Sequence, residues 1–319
     1  MGLLSAAGRL EDVCCDLCGA QESRFVLTRL DGLDVRECVK CGLAFVSPRP
    51  PVEVLDAIYA ENYFSGRGEL KTYDEKEYIQ SGLRRIVDPR SEFNKLLDTI
   101  NHFVRLQGAR VLDVGCGYGF FLRGAELRGA HVSGLDVSPE AAEYCRRTWG
   151  YPVGLGGPEE IQKESADVAT ALHVIEHVVS PTLFLRNLVR GLRPGGVLAL
   201  TTPNYRLGQM LGQAWTGFRI SFEHMYYFDR VSLEQMLERV GLKVLTWYTT
   251  EIIPPSGDFV ERTRGKRFDL FKAKEAVKQI QALWWLYKKV RKGFNAALSK
   301  LRVARGVGYE LGMIGRRVK

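Results

Sequence analysis

The sequence contains no apolar run that approaches the roughly 20 residues of a membrane-spanning helix. Its start, Met1 to Leu10, lacks the long apolar segment of a secretory signal peptide. Apart from two cysteine pairs it has no internal repeat, and it has no low-complexity segment. These absences exclude a helical membrane protein and a repeat protein, and they predict a globular chain in the reducing cytoplasm.

Acidic residues are scarce in one part of the chain. The 319 residues carry a net charge of +8, but from residue 260 onward 17 Lys and Arg stand against 4 Asp and Glu. Before residue 260 there are 28 Lys and Arg against 33 Asp and Glu, so the body of the protein is mildly acidic. Such an asymmetry bears on partners rather than on the fold.

Strand and helix patterns alternate through the middle of the chain. Predicted strands cover 110–114, 131–135, 168–172, 197–201 and 244–248, and predicted helices cover 92–104, 120–128, 182–192 and 232–239. The alternation predicts an α/β domain whose mostly parallel sheet is covered by helices on both faces. The chain then divides into the paired cysteines at 13–46, a connector and helical lid at 47–90 with a short helix at 52–59, the α/β domain at 91–255 and a basic tail at 256–319.

Four of the seven cysteines form two pairs, Cys15 with Cys18 and Cys38 with Cys41. Two residues between the members of a pair let both thiolates reach one tetrahedral ion, and a glycine after each pair permits the tight turn beside it. Cys14 is a surplus thiol without this spacing. The pattern predicts a structural zinc ribbon, because four thiolate ligands leave no open position for catalysis. A redox site, an unmetallated site and a substrate-recognition lid are the alternatives.

A glycine-rich turn follows the first strand of the α/β domain. It runs from Asp113 through Gly115, Gly117 and Gly119, and a second acid, Asp136, ends the next strand. The G-x-G-x-x-G spacing that cradles a dinucleotide pyrophosphate is absent. A carboxylate at the end of the second strand can accept both hydroxyls of a ribose. The pattern favours a cofactor with a ribose and no pyrophosphate over a Rossmann domain without a cofactor.

Segment 111–119 resembles motif I of class I S-adenosylmethionine-dependent methyltransferases, and Asp136 is similar to their ribose-binding acid. Segments 166–177 and 192–197 resemble the fourth strand of that family and the turn before its fifth strand. The resemblance implies a Rossmann-like methyltransferase fold, an enzyme and S-adenosylmethionine as the cofactor, with Asp113 near the ammonium end of the ligand. The implied cofactor-binding residues are Asp113, Gly115, Gly117, Asp136, Val137 and Leu172.

The wider chain resembles a bacterial subgroup that has an N-terminal CxxCG…CxxCG ribbon and a Ser-Pro-Arg-Pro connector, here 47–50. Many members of that subgroup modify sugars, polysaccharides and secondary metabolites. The chain departs from the family around 154–159, where the acid before the third-strand loop is absent. Gly157, Glu159 and Glu160 are therefore the candidates for the adenine contact.

Two of the five histidines are candidate catalytic residues. His173 ends the fourth strand, at the edge where open α/β sheets bind ligands. His224 follows the fifth strand, where this family often builds the acceptor pocket. A histidine base would take the proton of an alcohol that the site holds in line with the sulfonium methyl group. His177 follows Glu176 and is predicted to be structural.

A second metal site is the alternative interpretation of these histidines. Some ubiquinone-pathway and small-RNA methyltransferases resemble this region and carry a Glu-x-x-Glu-His cluster that binds a divalent ion. Here His173 replaces the first glutamate, Glu176 and His177 follow, and His224 is a fourth candidate. A spacing of three to four residues places side chains on one helical face.

Residues 269–303 carry apolar side chains at steps of three and four residues, with basic residues around them and the aromatic group Trp284, Trp285 and Tyr287. The pattern predicts a basic amphipathic helical tail. Among possible roles of the tail, the pattern favours docking on the catalytic domain or formation of a homodimer. Peripheral contact with the anionic inner surface of a membrane is the second interpretation, and binding of nucleic acid is disfavoured.

The sequence predicts methyl transfer to an oxygen of a small molecule: a sugar, a glycan or a related metabolite. An RNA methyltransferase is the nearest alternative, since a zinc ribbon and a basic tail suit a polyanion. Against it, segment 171–174 lacks the Asn/Asp-Pro-Pro-Tyr element of base-amine methylation. A non-catalytic cofactor-binding module and a Rossmann oxidoreductase are further alternatives.

Overall fold

A computed structural model describes residues 10–52, 75–219, 223–250 and 308–318. Residues up to Tyr248 together with Glu310 onward belong to one compact unit, and Thr249–Tyr309 belong to a second. The predicted short helix at 52–59, beyond its first residue, and the amphipathic pattern at 269–303 lie outside the described residues.

The strands of the described residues form two sheets. They are β1 (Ser23–Thr28), β2 (Asp34–Cys38), β3 (Ala44–Val46), β4 (Arg110–Val114), β5 (His131–Asp136), β6 (Val153–Leu155), β7 (Ala166–Leu172), β8 (Leu192–Pro203), β9 (Tyr226–Tyr227), β10 (Leu242–Thr249) and β11 (Glu310–Arg317). The larger sheet has the order β10-β11-β8-β7-β4-β5-β6. Strands β5, β4, β7 and β8 pair in parallel with one another, as does β6 with β5, whereas β11 is antiparallel to β8. The predicted α/β fold with a mostly parallel sheet is confirmed.

Helices connect the strands of the larger sheet. They are α1 (Glu75–Val87), α2 (Glu92–Phe103), α3 (Phe120–Glu126), α4 (Pro139–Trp149), α5 (Pro181–Gly191), α6 (Tyr205–Leu211), α7 (Thr216–Arg219) and α8 (Arg230–Arg239). Ser91, Ser138 and Ser180 begin α2, α4 and α5 by accepting a hydrogen bond from the backbone N–H three residues on. None of the described helices is both long enough and apolar enough to cross a membrane.

The main core lies between the sheet and helices α2 and α3. It buries apolar side chains that the sequence places on the inner faces of these elements. These include Leu96, Leu97, Ile100, Val111, Phe121, Val168, Val197 and Ile314. Burial of these side chains holds the carboxyl ends of β4, β5 and β7 together at one edge of the sheet.

The prediction of a helical tail is wrong for the last strand. Residues 310–317, which the sequence interpretation assigned to a helical tail, form β11 between β8 and β10. Gly312 and Gly315 lower the strand propensity of this segment, so its pattern gives a weak signal. A Cβ atom at Gly312 would lie 2.2 Å from the ring of Tyr248, which shows that the glycine makes room for a neighbouring aromatic side chain.

The cysteine-bearing region forms a four-stranded antiparallel sheet with the order β1-β2-β3-β9. Its fourth strand, Tyr226–Tyr227, comes from the α/β domain far along the chain. A further bridge joins Glu11 to Arg49. The predicted ribbon is therefore completed by a strand that no local pattern indicates.

Candidate functional site

The cofactor turn between β4 and α3 has left-handed backbone at Gly115 (φ 74°) and Gly117 (φ 52°). Residues with side chains rarely adopt this conformation. At Gly115 a Cβ atom would also lie 2.4 Å from Cγ2 of Val174, which follows β7. Val174 thus lies against the turn at Gly115, and the turn packs directly on the segment after β7.

Asp136 ends β5 beside this turn and is buried. The backbone N–H of Gly117 donates to its Oδ2 over 2.7 Å, and the N–H of Ser138 donates to its Oδ1 over 2.9 Å. Burial raises the pKa of Asp136, while these N–H groups act in the opposite direction. The carboxylate is held in one orientation at the carboxyl edge of the sheet, which is compatible with the predicted ribose contact.

Asp113 is buried on β4, opposite Thr170 of β7. The Thr170 hydroxyl donates to Oδ1 of Asp113 over 2.5 Å. Burial raises the pKa of Asp113 to about 7, although the hydrogen bond from Thr170 acts against this. A nearby cationic ammonium group would favour the ionised carboxylate, as the predicted role requires. Thr170 was missed because a threonine inside a strand is common without any function.

Apolar side chains are exposed at the carboxyl ends of β5 and β6. Val137 and Leu155 are each 56% exposed, and Leu155 lies opposite Asp136 in the sheet register. Leu172, at the end of β7, is half-buried. Exposed apolar surface beside an oriented carboxylate suits the flat adenine ring of the cofactor. Leu155 was missed because the short strand β6 lies in a glycine-rich segment.

The three candidates for the adenine contact follow β6. Glu159 and Glu160 are exposed on a single 3-10 turn. The backbone N–H of Gly157 donates to the Glu159 carboxylate over 3.1 Å, so this carboxylate turns back on its own loop. The adenine assignment among these residues stays a prediction.

His173 has left-handed backbone (φ 56°) at the end of β7, a conformation that is costly for a non-glycine residue. Its side chain is 43% exposed, with Nδ1 3.4 Å from Oε1 of Glu176 and Nε2 3.3 Å from Oε2 of Glu310. Desolvation opposes protonation, but the carboxylates of Glu310 and Glu176 outweigh it and raise the pKa of His173 well above its ordinary value. Two carboxylates beside the imidazole favour its protonated form, so this geometry disfavours His173 as a general base.

Glu176, His177 and His224 form a compact cluster in which the candidate ligand atoms lie within 4.8 Å of one another. The rings of His177 and His224 are 4.7 Å apart between centroids. Both carboxylate oxygens of Glu176 are buried, and their polar contacts include Nδ1 of His173, 3.4 Å from Oε1. Desolvation would raise the pKa of Glu176, but the adjacent His173 and His177 outweigh it and lower the pKa to about 2.

The electrostatics of His224 differ from those of His173. Burial and the neighbouring His177 lower the pKa of His224 well below its ordinary value, although Glu176 acts in the opposite direction. Its Nδ1 is buried without a hydrogen-bond partner among the described residues. A neutral imidazole with a free lone pair can accept a proton or bind a metal ion.

The cluster fits a divalent cation. A buried carboxylate is costly unless positive charge compensates it, and a metal ion would add to the compensation that the nearby His173 supplies to Glu176. One carboxylate and two imidazoles are ligands that first-row divalent ions accept. The sequence interpretation treated His177 as structural, whereas the structure places it with Glu176 and His224. It also brings Glu310 of β11 to His173, a contact for which the sequence holds no signal.

The four paired cysteines come together at the end of the ribbon. Cys15 Sγ lies 3.4 Å from Cys41 Sγ, and Cys18 Sγ lies 3.5 Å from Cys38 Sγ. Four sulfurs at 2.3 Å from a tetrahedral zinc ion would be separated by about 3.8 Å, so the arrangement fits one ion. Cys14 is exposed and does not belong to the group.

The thiols differ in acidity. Burial raises the pKa of Cys15, although backbone N–H groups of Cys18 and Leu17 act against it. Burial also acts on Cys38, but N–H groups of Cys41 and Lys40 outweigh it and lower the pKa to about 7. N–H groups that face sulfur stabilise thiolates, which are the form that zinc binds. The donor set therefore fits the predicted structural zinc.

The protein family described as a methyltransferase domain matches residues 84–246, half of the chain. The match includes the glycine turn, Asp136, His173 and His224. The chain belongs to this family. The resemblance to class I S-adenosylmethionine-dependent methyltransferases is thus confirmed, and the matched domain is that of an enzyme of this class. S-adenosylmethionine is the cofactor of these methyltransferases.

Similar curated proteins are O-methyltransferases by name. The chain is 36% identical over 135 residues to the ubiquinone biosynthesis O-methyltransferase of Marinobacter nauticus, a match that covers 37% of this chain and 56% of the relative. It is 35% identical over 132 residues to the protein of the same name from Dechloromonas aromatica. This match covers 37% of the present chain and 57% of the relative. The chain spans about half the length of the curated relatives it matches.

Solved structures with a similar backbone include a methyltransferase bound to the Trm112 activator of Haloferax volcanii. That likeness has a TM-score of 0.49 and 16% identity, and it covers 76% of this chain and 97% of the other. Magnesium protoporphyrin IX methyltransferase from Synechocystis PCC 6803 has a TM-score of 0.48 and 13% identity. This likeness covers 78% of the present chain and 90% of the other.

Proposed function

We propose that the protein transfers the methyl group of S-adenosylmethionine to a hydroxyl oxygen of a small-molecule acceptor, and that His224 serves this step. The names of the similar curated proteins support oxygen rather than nitrogen or carbon as the target. A sugar or glycan acceptor finds no support in the comparisons.

The buried imidazole of His224, in one cluster with Glu176 and with its ring 4.7 Å from that of His177, is the observation that carries the proposal. Val174, on the same short segment as Glu176, packs on the cofactor turn, so the cluster lies next to the cofactor site. A base at this place removes the hydroxyl proton as the oxygen attacks the methyl carbon and the carbon–sulfur bond breaks. The sulfonium charge is thereby neutralised, and the proton remains on the imidazole.

A divalent ion is compatible with the same cluster. Glu176, His177 and His224 would hold it, and as a Lewis acid it would lower the pKa of an acceptor hydroxyl. In either case Glu176 supplies a buried carboxylate within 4.8 Å of the candidate ligand atoms of both imidazoles. If methyl transfer after treatment with a chelator requires added Mg²⁺, Mn²⁺ or Zn²⁺, His224 acts as a metal ligand. If it does not, His224 acts as a general base.

Labelled-methyl transfer onto a panel of phenols, nucleotide sugars, lipid-linked glycans and total RNA tests the acceptor class. We expect incorporation into a hydroxyl compound. Label on RNA alone would favour the RNA methyltransferase alternative, for which the ribbon and the basic tail are the only support.

With the acceptor in hand, His224→Ala should lower turnover by ~10²–10⁴-fold, because a lost general base typically has that effect. Affinity for S-adenosylmethionine, measured by calorimetry, should stay near normal. His131→Ala, at the exposed amino end of β5, is the matched control and should keep full activity. Full activity in His224→Ala would remove this residue from the mechanism.

A further inference from the structure

The ribbon and the acceptor side of the catalytic site share a sheet. Strand β3 pairs with β9, with Ala44 opposite Tyr227 and Phe45 opposite Tyr226. The backbone N–H of Val46 also donates to the carbonyl of Met225 over 2.9 Å. Because β9 begins two residues after His224, the backbone at His224 takes its position from a ribbon strand.

Arg29, which directly follows β1 of the ribbon, contacts this backbone. Its Nη1 donates to the carbonyl oxygen of His224 over 2.7 Å and to the Tyr227 hydroxyl over 2.9 Å. Asp31 holds the guanidinium group through two bonds, Nε to Oδ1 at 3.1 Å and Nη2 to Oδ2 at 2.5 Å. The side chains of Arg29 and Asp31 are 0% and 2% exposed. A bidentate pair of this kind fixes the guanidinium plane and therefore the direction of the bond to His224.

A second anchor joins the ribbon to the segment that follows His177. Asp16 lies between the first two predicted zinc ligands, and its carboxylate accepts hydrogen bonds from the Ser180 hydroxyl over 2.6 Å and the Thr182 N–H over 2.7 Å. Arg49 donates to the Val179 carbonyl over 3.0 Å. Both chain segments that supply the Glu176, His177 and His224 cluster are thus held by the cysteine-bearing region and the start of the connector.

We propose that the ribbon is a positioning element of the acceptor site, in which Arg29, held by Asp31, fixes the place of His224. The metal-loaded ribbon is then required for turnover and dispensable for cofactor binding, since no ribbon residue contacts the turn at Gly117 or Asp136 among the hydrogen bonds of the described residues. This inference rests on the proposed function for the role of His224.

A purely structural role predicts a different outcome. A buried ion pair contributes little net stability compared with apolar side chains of similar volume. Loss of the pair would then change the stability alone, and the folded fraction would keep its turnover. A positioning role predicts slower turnover in the folded protein, because a shift of about 1 Å at a reacting group can lower the rate by ~10²-fold.

The test compares the wild type with Arg29→Lys and with the uncharged double variant Arg29→Met/Asp31→Asn, which removes both buried charges. Arg24→Lys is the matched control, because Arg24 lies on β1 and its side chain is 68% exposed, with Glu37 as its partner. We expect kcat to fall by roughly 10- to 100-fold in both Arg29 variants, with KM for S-adenosylmethionine and its calorimetric affinity little changed. Lysine should not rescue activity, because it lacks the planar fork.

A readout without acceptor separates this proposal from the proposed function. The backbone N–H groups of Met225 and Tyr226 both donate to the carbonyl of Glu176, over 2.9 Å and 3.1 Å. Hydrogen exchange at these amides should accelerate in Arg29→Lys and after removal of the ribbon metal by a chelator, while the Gly117 amide stays protected.

Unchanged exchange at Met225 and Tyr226 in both samples would overturn the positioning role. So would unchanged kcat per folded molecule in both Arg29 variants, or a loss of cofactor affinity as large as the loss of kcat. If the wild type methylates no hydroxyl compound while exchange responds as expected, the proposed function fails and the anchoring of the His224 backbone by the ribbon stands.

Discussion

Asp113 and Asp136 are two buried carboxylates with different surroundings. Backbone N–H groups, among them those of Gly117 and Ser138, face Asp136, whereas the hydroxyl of Thr170 donates to Asp113. Backbone N–H groups favour the ionised form, so Asp136 has compensation that Asp113 lacks. Burial accordingly raises the pKa of Asp113 from 3.8 to about 7. Without its ligand the protein carries a carboxyl group that resists ionisation at the cofactor turn.

The stability of the ligand-free protein should reflect this group. A pKa that is higher in the folded than in the unfolded chain gives stability that is present below about pH 4 and is lost as the pH rises through 7. The unfolding free energy of the wild type, relative to Asp113→Asn, should therefore fall by roughly 4 kcal/mol over that window. Urea titrations of both proteins at several pH values measure the difference.

The comparison with Asp113→Asn cancels the contributions of all other titrating groups, because the wild type and the variant share those groups. A constant difference between the two proteins from pH 4 to pH 8 would show that Asp113 ionises normally. S-adenosylmethionine should shift the wild-type curve, since a bound ammonium group would stabilise the carboxylate.

At the scale of elements, the ribbon is a sheet of three local strands with a fourth from the α/β domain. We expect Cys38→Ser to lose most of its zinc and to unfold more easily, because a structural zinc ion contributes directly to folding. Elemental analysis of protein purified without chelators and thermal unfolding give the two readouts, and the wild type should hold about one zinc ion.

Cys14→Ser supplies the comparison for the ribbon, since Cys14 is an exposed thiol next to a predicted ligand. It should keep both its zinc and its stability. An undiminished zinc content in Cys38→Ser, or a wild type without zinc, would contradict the structural-zinc prediction.

Strand β11 changes how the tail has to be tested at the scale of the whole molecule. Because residues 310–317 lie inside the central sheet, a deletion of the whole C-terminal region would destroy the catalytic fold. Point substitutions avoid this problem. We predict that Lys288, Lys289, Arg291 and Lys292 attract the protein to anionic liposomes, with about 1 kcal/mol from each charge and weaker binding at high salt.

Replacement of these four residues by serine should abolish liposome binding at low salt. The matched control replaces four exposed lysines of the described residues by serine, Lys76, Lys95, Lys163 and Lys243. Equal loss in both variants would indicate a nonspecific effect of net charge. If the wild type ignores anionic liposomes and the tail variant shifts a dimer to a monomer, the docking interpretation replaces the membrane one.

The sequence by itself determined strands β4, β5, β7, β8 and β10, the glycine turn with Asp113 and Asp136, and the two thiol pairs. These features depend on neighbours within a few residues, where hydrophobic periodicity, capping and ligand spacing operate. His224 could be singled out as a candidate for the same reason: its segment follows the fifth strand of a recognisable pattern.

Only the tertiary structure decided which of these residues meet. Glu310 reaches His173 because β11 pairs with β8, and the guanidinium group of Arg29 reaches the His224 carbonyl across a separation of 195 residues. Pairing between distant strands is set by the burial of whole faces, which no short window of sequence contains. The pKa of His173 follows from its contacts with Glu310 and Glu176, and that of His224 from its burial beside His177, so packing decided the chemistry of the two histidines.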